Sequence, residues 1–404
     1  VKLLFINRYF YPDLSATAQL LSELAEDLDA CGDTVTVITG RATYVGEHAP
    51  LPTRERYKGI EIRRVRSSFF GRRHRLGRLI DYLSFYAAAL LAALWLRQQD
   101  CLIVLSDPPM LSVLALVVRT CKRLKTVCWL QDVFPEIAIR AGVLPEGRFA
   151  HLLQRLALWS LRHMDRLVVL GRCMEQHLLA RGIPAHKMVR IPNWADGKQS
   201  LPVERQENPF LAEHGLLNRL VVMYSGNLGV VHEFETIQAV IRKLQSARQF
   251  CFCFIGEGHQ KERLVEEARR ERWENVVFLP YQAKETLQFS LAAGDVHLVT
   301  LRPDMTGLSV PSKLYGILGA GRPVIFIGSE ESEVAAVIRE AHCGYVLKPG
   351  DVQGTIQALR AYSRDPAQME RHGRAARVYF HRYCDRPIAV EKFRRLLQRV
   401  TADD

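Results

Sequence analysis

The stretch best equipped for chemistry is Pro311-Ser312-Lys313, which lies between a loop and a short helical run that closes at Gly319-Ala320-Gly321. A helix start leaves backbone N–H groups without intrahelical partners and carries the positive end of the helix dipole. Pro311 suits the first helical turn, Ser309 is placed to cap it, and Lys313 brings a full positive charge within reach of whatever those N–H groups hold. Taken alone, the stretch reads either as a phosphate-type anion site or as an ordinary capped helix with a solvated lysine. Elsewhere, Asp107, Gln131, Asp132, Glu136, Arg8 and Arg172 sit in loops that follow apolar runs, where groups for proton transfer or anion binding are expected.

The elements that position these residues alternate between strand and helix. Residues 2–6 form an apolar run, 18–30 carry leucines at helical spacing, and 34–39 form a second apolar run, which is the opening of a doubly wound sheet. Strands are predicted near 60–65, 102–105, 126–130, 167–170 and 188–191, with helices near 80–97, 110–123, 148–162 and 173–181. Residues 195–219 read as a connection, and a second series of strands follows at 220–224, 251–255, 276–279, 296–300, 323–327 and 344–347. The fold class is therefore α/β, with two Rossmann-like doubly wound domains and a cleft between them. The expected domains are 1–195 and 196–385, with a C-terminal helix at 386–404 packing back on the first. Ligands of such sheets bind at the carboxyl ends of the strands. In the second half those ends carry Gly226-Asn227-Leu228-Gly229, Gly256-Glu257-Gly258, Tyr281 and Arg302, and they converge on Lys313. Four such loops in series favour a nucleotide diphosphate, with Tyr281 placed to pack on a base.

Composition narrows the partners. At 404 residues with 48% hydrophobic and 24% charged residues, the chain fits two globular domains and excludes disorder. A net charge of +12 asks for an acidic partner: nucleic acid, anionic lipid or a phosphorylated small molecule. Arg63, Arg64, Arg66, Arg72, Arg73, Arg75 and Arg78 cluster with Phe69 and Phe70, as a solvated loop or as a face for membrane or acceptor. Nucleic acid is set aside, because the basic cluster lies off the glycine-loop series and no aromatic stacking platform accompanies it. The apolar run 82–96 is short for a spanning helix and reads as buried or interfacial. The nine cysteines are scattered and lie mostly in apolar runs, as in a reduced cytosolic protein, and an immediate strand at residue 2 leads to the expectation of no signal peptide. Cys251 and Cys253 lack a second ligand pair, and Asp27-Leu28-Asp29 reads as a helix face, so no metal is expected.

The order of these motifs resembles the GT-B fold retaining glycosyltransferases of family 4, particularly the bacterial branch of surface polysaccharide assembly. The resemblance rests on Tyr11-Pro12-Asp13 with Ser15-Ala16-Thr17, on Gln131-Asp132 with Phe134-Pro135-Glu136, and on Ile191-Pro192-Asn193-Trp194. In the second half it rests on the two glycine loops and on Val310-Pro311-Ser312-Lys313 followed by Gly321-Arg322-Pro323. It implies a nucleotide-sugar donor, a UDP-sugar in this reading, held mainly by the second domain, an acceptor held mainly by the first, retention of configuration, and no metal or other cofactor. Asp132, Lys313 and Arg302 are the implied catalytic residues. Ser15, Ala16, Gly226, Asn227, Gly256, Glu257, Tyr281, Val310, Pro311 and Ser312 are the implied donor contacts, and Arg8, Gln131 and Arg172 the acceptor contacts. The chain departs from the family where two glutamates are usual, with Leu308 and Gly316 in their places, and where an Arg and a Lys are usual, with Asn227 and His232. A lipid-linked saccharide acceptor at the inner membrane face is the leading expectation. A soluble enzyme with a sugar or sugar-phosphate acceptor, similar to the sucrose-phosphate synthases, and a UDP-sugar epimerase are the alternatives.

Overall fold

The computed structural model describes residues 1–43, 50–68, 70 and 75–402; Phe69, Arg72 and Arg73 of the basic segment lie outside them. The chain divides into two compact units, residues 1–192 with 390–404, and residues 193–389.

The first unit is built on an eight-stranded sheet among the described residues, in the order β3-β4-β2-β1-β5-β6-β7-β8. Its strands are β1 (Lys2–Ile6), β2 (Thr34–Gly40), β3 (Arg54–Tyr57), β4 (Ile60–Val65), β5 (Cys101–Leu105), β6 (Lys125–Trp129), β7 (Arg166–Val169) and β8 (Met188–Arg190). Its helices are α1 (Ala16–Ala30), α2 (Arg75–Trp95), α3 (Leu111–Lys122), α4 (Glu136–Arg140), α5 (Arg148–His163) and α6 (Arg172–Ala180). The central strands are apolar throughout because a parallel sheet is covered on both faces, and Leu3 to Ile6 and Cys101 to Leu105 are all buried. Sequence reading missed β3, the single antiparallel partner in the pairings, which lies at the sheet edge against β4. Its residues, Arg-Glu-Arg-Tyr, carry no apolar alternation.

The second unit carries a six-stranded parallel sheet in the order β11-β10-β9-β12-β13-β14. The strands are β9 (Leu220–Ser225), β10 (Phe250–Ile255), β11 (Val276–Leu279), β12 (Val296–Thr300), β13 (Val324–Ile327) and β14 (Gly344–Leu347). Helices α7 (Pro209–Glu213), α8 (Glu235–Lys243), α9 (Lys261–Glu271), α10 (Leu287–Ala293), α11 (Lys313–Gly319), α12 (Glu333–Ala341), α13 (Val352–Arg364) and α14 (Pro366–Tyr383) accompany it. The last helix, α15 (Arg386–Ala402), carries Phe393 into edge-on contact with Trp129 of β6, at 4.8 Å between ring centroids.

The parallel strands of each sheet reverse their order at a central pair, β1 and β5 in the first and β9 and β12 in the second. At such a point neighbouring crossovers lie on opposite faces and leave a crevice outside the strand ends. Backbone bonds tie the loops there together. Arg8 N donates to Asp107 O at 2.9 Å in the first unit, and Arg302 N to Val231 O at 2.9 Å in the second.

Candidate active site

The second crevice is built from backbone first. Gly226, directly after β9, has φ +131, and Gly256, after β10, has φ +134, a region that disfavours any side chain. A Cβ on Gly256 would lie 2.1 Å from Gly226 O, and one on Gly258 would lie 2.5 Å from Leu228 O. The loops are thus packed backbone on backbone, which explains why glycine stands at both positions. Bonds from Gly226 N to Ile255 O and from Leu228 N to Glu257 O, both 2.9 Å, hold them. Tyr281 borders the same place, its Cε1 3.4 Å from the position of a Cβ on Gly256. Glu257 points outward to an ion pair with Lys261 at 2.6 Å.

Lys313 reaches into this crevice from the opposite side. Its Cε lies 3.0 Å from where a Cβ on Gly226 would be, and its Nζ sits 3.4 Å from the centroid of the Tyr224 ring. The Nζ is buried and has no hydrogen-bond partner. Burial pulls its pKa well below the ordinary lysine value, because the charged form loses its water without gaining an acceptor. His232 stands beside it, with Nδ1 donating to Thr300 O at 2.6 Å, and burial together with the Lys313 charge pushes its pKa down to about 3. Neutral His232 fixes the loop, but it does not supply the cation that the family usually has there. Tyr224, whose hydroxyl donates to Asn227 O at 2.8 Å, carries no more than a strand position in the sequence. The available signal was its place at the end of β9, next to the glycine loop.

The helix start differs from the expectation. α11 begins at Lys313 with Ser312 as its flanking residue, and neither Ser309 nor Ser312 provides a side-chain cap. The first turn closes with the tight bonds Leu314 N to Pro311 O and Tyr315 N to Ser312 O, so Pro311 precedes the helix. Proline holds its predecessor extended, which delays the helical turn. Val310 and Pro311 are buried beneath it, and Ser312 is half-buried. With only seven residues in the helix, the side chain of Lys313 carries more of the electrostatics than the helix end does. Arg302 makes an ion pair with Asp304 at 2.7 Å and donates to Val230 O at 3.3 Å. Leu308 is buried, and at Gly316 a Cβ would meet only Leu291 Cδ1, at 3.5 Å.

In the first unit, Ser15 flanks α1 in extended conformation and Ala16 opens the helix. The Ser15 N–H donates to Asp13 Oδ1 at 2.7 Å, while its Oγ is buried without a partner. Ser106 Oγ accepts from both Gln131 N (3.1 Å) and Asp132 N (3.2 Å), linking the loops after β5 and β6. Asp132 lines a small cavity with Ser106, Met110 and Phe134. Glu136 is buried, pairs with Arg181 at 3.2 Å, and has its pKa raised by that burial. Arg172 opens α6 behind Gly171. Arg8 is buried, 3.5 Å from Asp81, with the Tyr9 and Tyr82 rings 5.5 and 5.2 Å from its guanidinium. Among the described residues, no group of three His, Cys, Asp or Glu side chains could hold a metal ion.

Comparison with known proteins accounts for both halves. Residues 16–194 match the glycosyl transferase 4-like domain family, and residues 219–365 match the glycosyl transferases group 1 family. The chain belongs to the GT-B glycosyltransferases of the family 4 type. This glycosyltransferase is 31% identical over 256 residues to the probable glycosyltransferase WbjE of Pseudomonas aeruginosa, covering 63% of this chain and 64% of that one. It is 24% identical over 408 residues to the putative colanic acid biosynthesis glycosyl transferase WcaI of Escherichia coli K12, covering 97% and 98%. Among solved structures, the sucrose-phosphate synthase of Thermosynechococcus elongatus matches with a TM-score of 0.79 at 15% identity, over 100% of both chains. HepE of Anabaena, in complex with UDP-glucose, matches with a TM-score of 0.75 at 14% identity, over 98% of this chain and 99% of that one. These likenesses agree with the α/β, GT-B fold expected from the sequence.

Proposed function

We propose that this glycosyltransferase moves a sugar from a nucleotide sugar, a UDP-sugar, to a lipid-linked saccharide in the synthesis of a surface polysaccharide, with retention of configuration and without a metal. The observation that carries the donor site is the buried, unpartnered Lys313 Nζ beside the paired glycine loops. A buried amine without an acceptor is costly, and a diphosphate is an acceptor that would restore its charge. As the bond from the anomeric carbon to the diphosphate oxygen breaks, negative charge grows on that oxygen, and Lys313 with the backbone N–H groups around it stabilises the charge. Groups that bind more tightly in the transition state lower the barrier. The leaving oxygen takes the proton of the acceptor hydroxyl as the new glycosidic bond forms on the same face. Arg302 assists at the diphosphate, Tyr281 packs on the base, and Gly226, Asn227, Gly256, Glu257, Val310, Pro311 and Ser312 shape the pocket.

In this reading the first unit binds the acceptor. Asp132 orients the reacting hydroxyl, and Gln131 and Arg172 contact the acceptor. The choice of UDP draws on HepE, which has been solved with UDP-glucose and with UDP, and the choice of pathway on the names of WcaI and WbjE. A soluble acceptor of the sucrose-phosphate type is favoured by the likeness to that synthase, but the pairing of Arg8 with buried Asp81 leaves it poorly placed to take a phosphate. The enzyme works on the cytoplasmic side, in peripheral contact with the membrane.

The test is a thermal-shift screen over UDP-, GDP- and ADP-sugars, followed by product analysis with and without a lipid-linked acceptor. A ligand of the folded state raises Tm by mass action. A shift with UDP-sugars and a product only in the presence of acceptor are expected. No shift with any nucleotide sugar refutes the donor site, and a changed sugar nucleotide without acceptor points to an epimerase.

A further inference from the structure

Helix α2 is apolar on two opposite faces. Its inner face, Phe85, Ala89 and Ala93, is buried, and Asp81 on that face is buried against Arg8. Its outer face, Leu76, Ile80, Leu83, Ala87, Leu91 and Trp95, repeats every three or four residues and is exposed at every position, 76% at Leu76 and 86% at Trp95. A helix of a water-soluble surface carries polar residues there. The length and composition of α2 would suit a membrane span, with a mean hydropathy of 1.3 over Leu76–Trp95. Its core-packed inner face and its buried ion pair rule that out in this fold.

A second stripe runs along α5. Phe149, Leu152, Leu156 and Trp159 recur at the same spacing, with Phe149 64% and Leu152 61% exposed. Arg148 and Arg155 are exposed beside them, and α5 contains no acidic residue. Helix α3 packs against both α2 and α5, and its own Val117 is exposed between them. Beyond α5, Asp165 is already engaged by Arg119 at 3.2 Å. Together the three helices present two apolar, tryptophan-bearing stripes with basic residues and no exposed carboxylate on the stripes themselves.

We infer that the α2–α3–α5 face is a docking surface for an anionic lipid bilayer, with α2 and α5 lying in the plane of the interface. Apolar stripes with Trp and Phe seat at the acyl boundary, and flanking arginines meet the anionic headgroups. A second copy of the chain would bring Arg148 and Arg155 against like charges, which opposes self-association. The purpose of the face, bringing the enzyme to a lipid-linked acceptor, rests on the function proposed above. Its location does not. The residue order marks only the basic loop and 82–96 for such a contact, and α5 is the part that only the folded arrangement adds.

The experiment is flotation of the full chain, at low salt, with phosphatidylglycerol/phosphatidylcholine vesicles and with pure phosphatidylcholine vesicles. Three double variants are compared: Leu83→Glu with Leu91→Glu, Leu152→Glu with Trp159→Glu, and Arg148→Glu with Arg155→Glu. The UDP-induced thermal shift reports that each variant is folded. Wild type is expected to bind the anionic vesicles at least tenfold better than the neutral ones, and each variant to lose at least tenfold while keeping its UDP shift. Absence of wild-type binding overturns the inference, as does binding that the α5 variants leave unchanged. A wild-type dimer in sedimentation velocity that the variants dissolve overturns it in favour of a self-association face. Vesicle binding without any UDP shift would leave this surface standing and remove the donor site instead, in which case circular dichroism serves as the folding check.

Discussion

Replacing Lys313 with Met separates the cost of the buried amine from its use. Met keeps an unbranched apolar stem of similar length and removes the Nζ that lies without a hydrogen-bond partner beside Tyr224. A buried unsatisfied polar group costs about 1–3 kcal/mol, so the empty variant is expected to be more stable than wild type by about that amount. For a domain of this size the gain reads as a Tm rise of roughly 2–10 °C. The pH dependence identifies the group. The pKa of Lys313 in the fold lies well below its ordinary 10.5, so between the two values the unfolded chain holds a proton that the folded chain lacks. Stability of wild type relative to the variant therefore rises with pH in that window, by up to about 1.4 kcal/mol per pH unit, and the variant's advantage shrinks steadily until the ordinary value of 10.5 is reached. Urea unfolding at a series of pH values from 7 to 10 measures this. Transfer activity should fall about 10²- to 10³-fold, the usual cost of losing one preorganised anion-stabilising donor, and the thermal shift with UDP should shrink. A variant less stable than wild type, a stability difference that does not change with pH, or turnover within threefold of wild type would refute the argument.

Acid should destabilise the second unit through two buried histidines. Burial pushes His297 down to about 4, and burial with Lys313 pushes His232 down to about 3. Both are neutral in the fold, so stability is full above pH 6.5 and declines as pH falls from there, by about 1.4 kcal/mol per unit for each histidine until its folded value is reached. His297→Gln should lower that slope by about 1.4 kcal/mol per pH unit in urea titrations between pH 6.5 and its folded value, and an unchanged slope would remove His297 from the account. Gly256→Ala should lower Tm and abolish the UDP shift, because its Cβ would lie 2.1 Å from Gly226 O at φ +134; normal melting with normal UDP binding would show that the loops do not need that contact. Arg302→Ala should leave Tm nearly unchanged, since a half-exposed ion pair contributes about 0–1 kcal/mol, and should lower turnover at least tenfold. Unchanged turnover would confine Arg302 to its pairing with Asp304.

Much of the architecture is legible in the residue order. Parallel strands covered on both faces are short apolar runs, and leucines at helical spacing mark helices such as α1, so the alternation of period alone reveals two doubly wound halves. The glycine loops are legible as well, because only glycine fits where one backbone meets another, and Gly256 and Gly258 occupy just such places. Edge strand β3 escaped because four polar or aromatic residues at a sheet edge carry no pattern. The cap at Ser309 was misplaced because local propensity does not register the tight first turn that Pro311 imposes.

The state of the charged groups was not legible, since it depends on what packs around them. From sequence, Lys313 and Arg8 are both positive charges near strand ends. The fold seals one over the Tyr224 ring with no acceptor and pairs the other with Asp81. Likewise, the spacing of Phe149, Leu152, Leu156 and Trp159 is the spacing of a core-facing helix. Only tertiary packing turns that stripe outward, because α5 buries Ala150, Ala157 and Leu161 instead. The sequence by itself determined which elements form and where their loops gather. The tertiary structure decided which side chains lose water, and with it which charges are available for chemistry and which apolar surface is left for a partner.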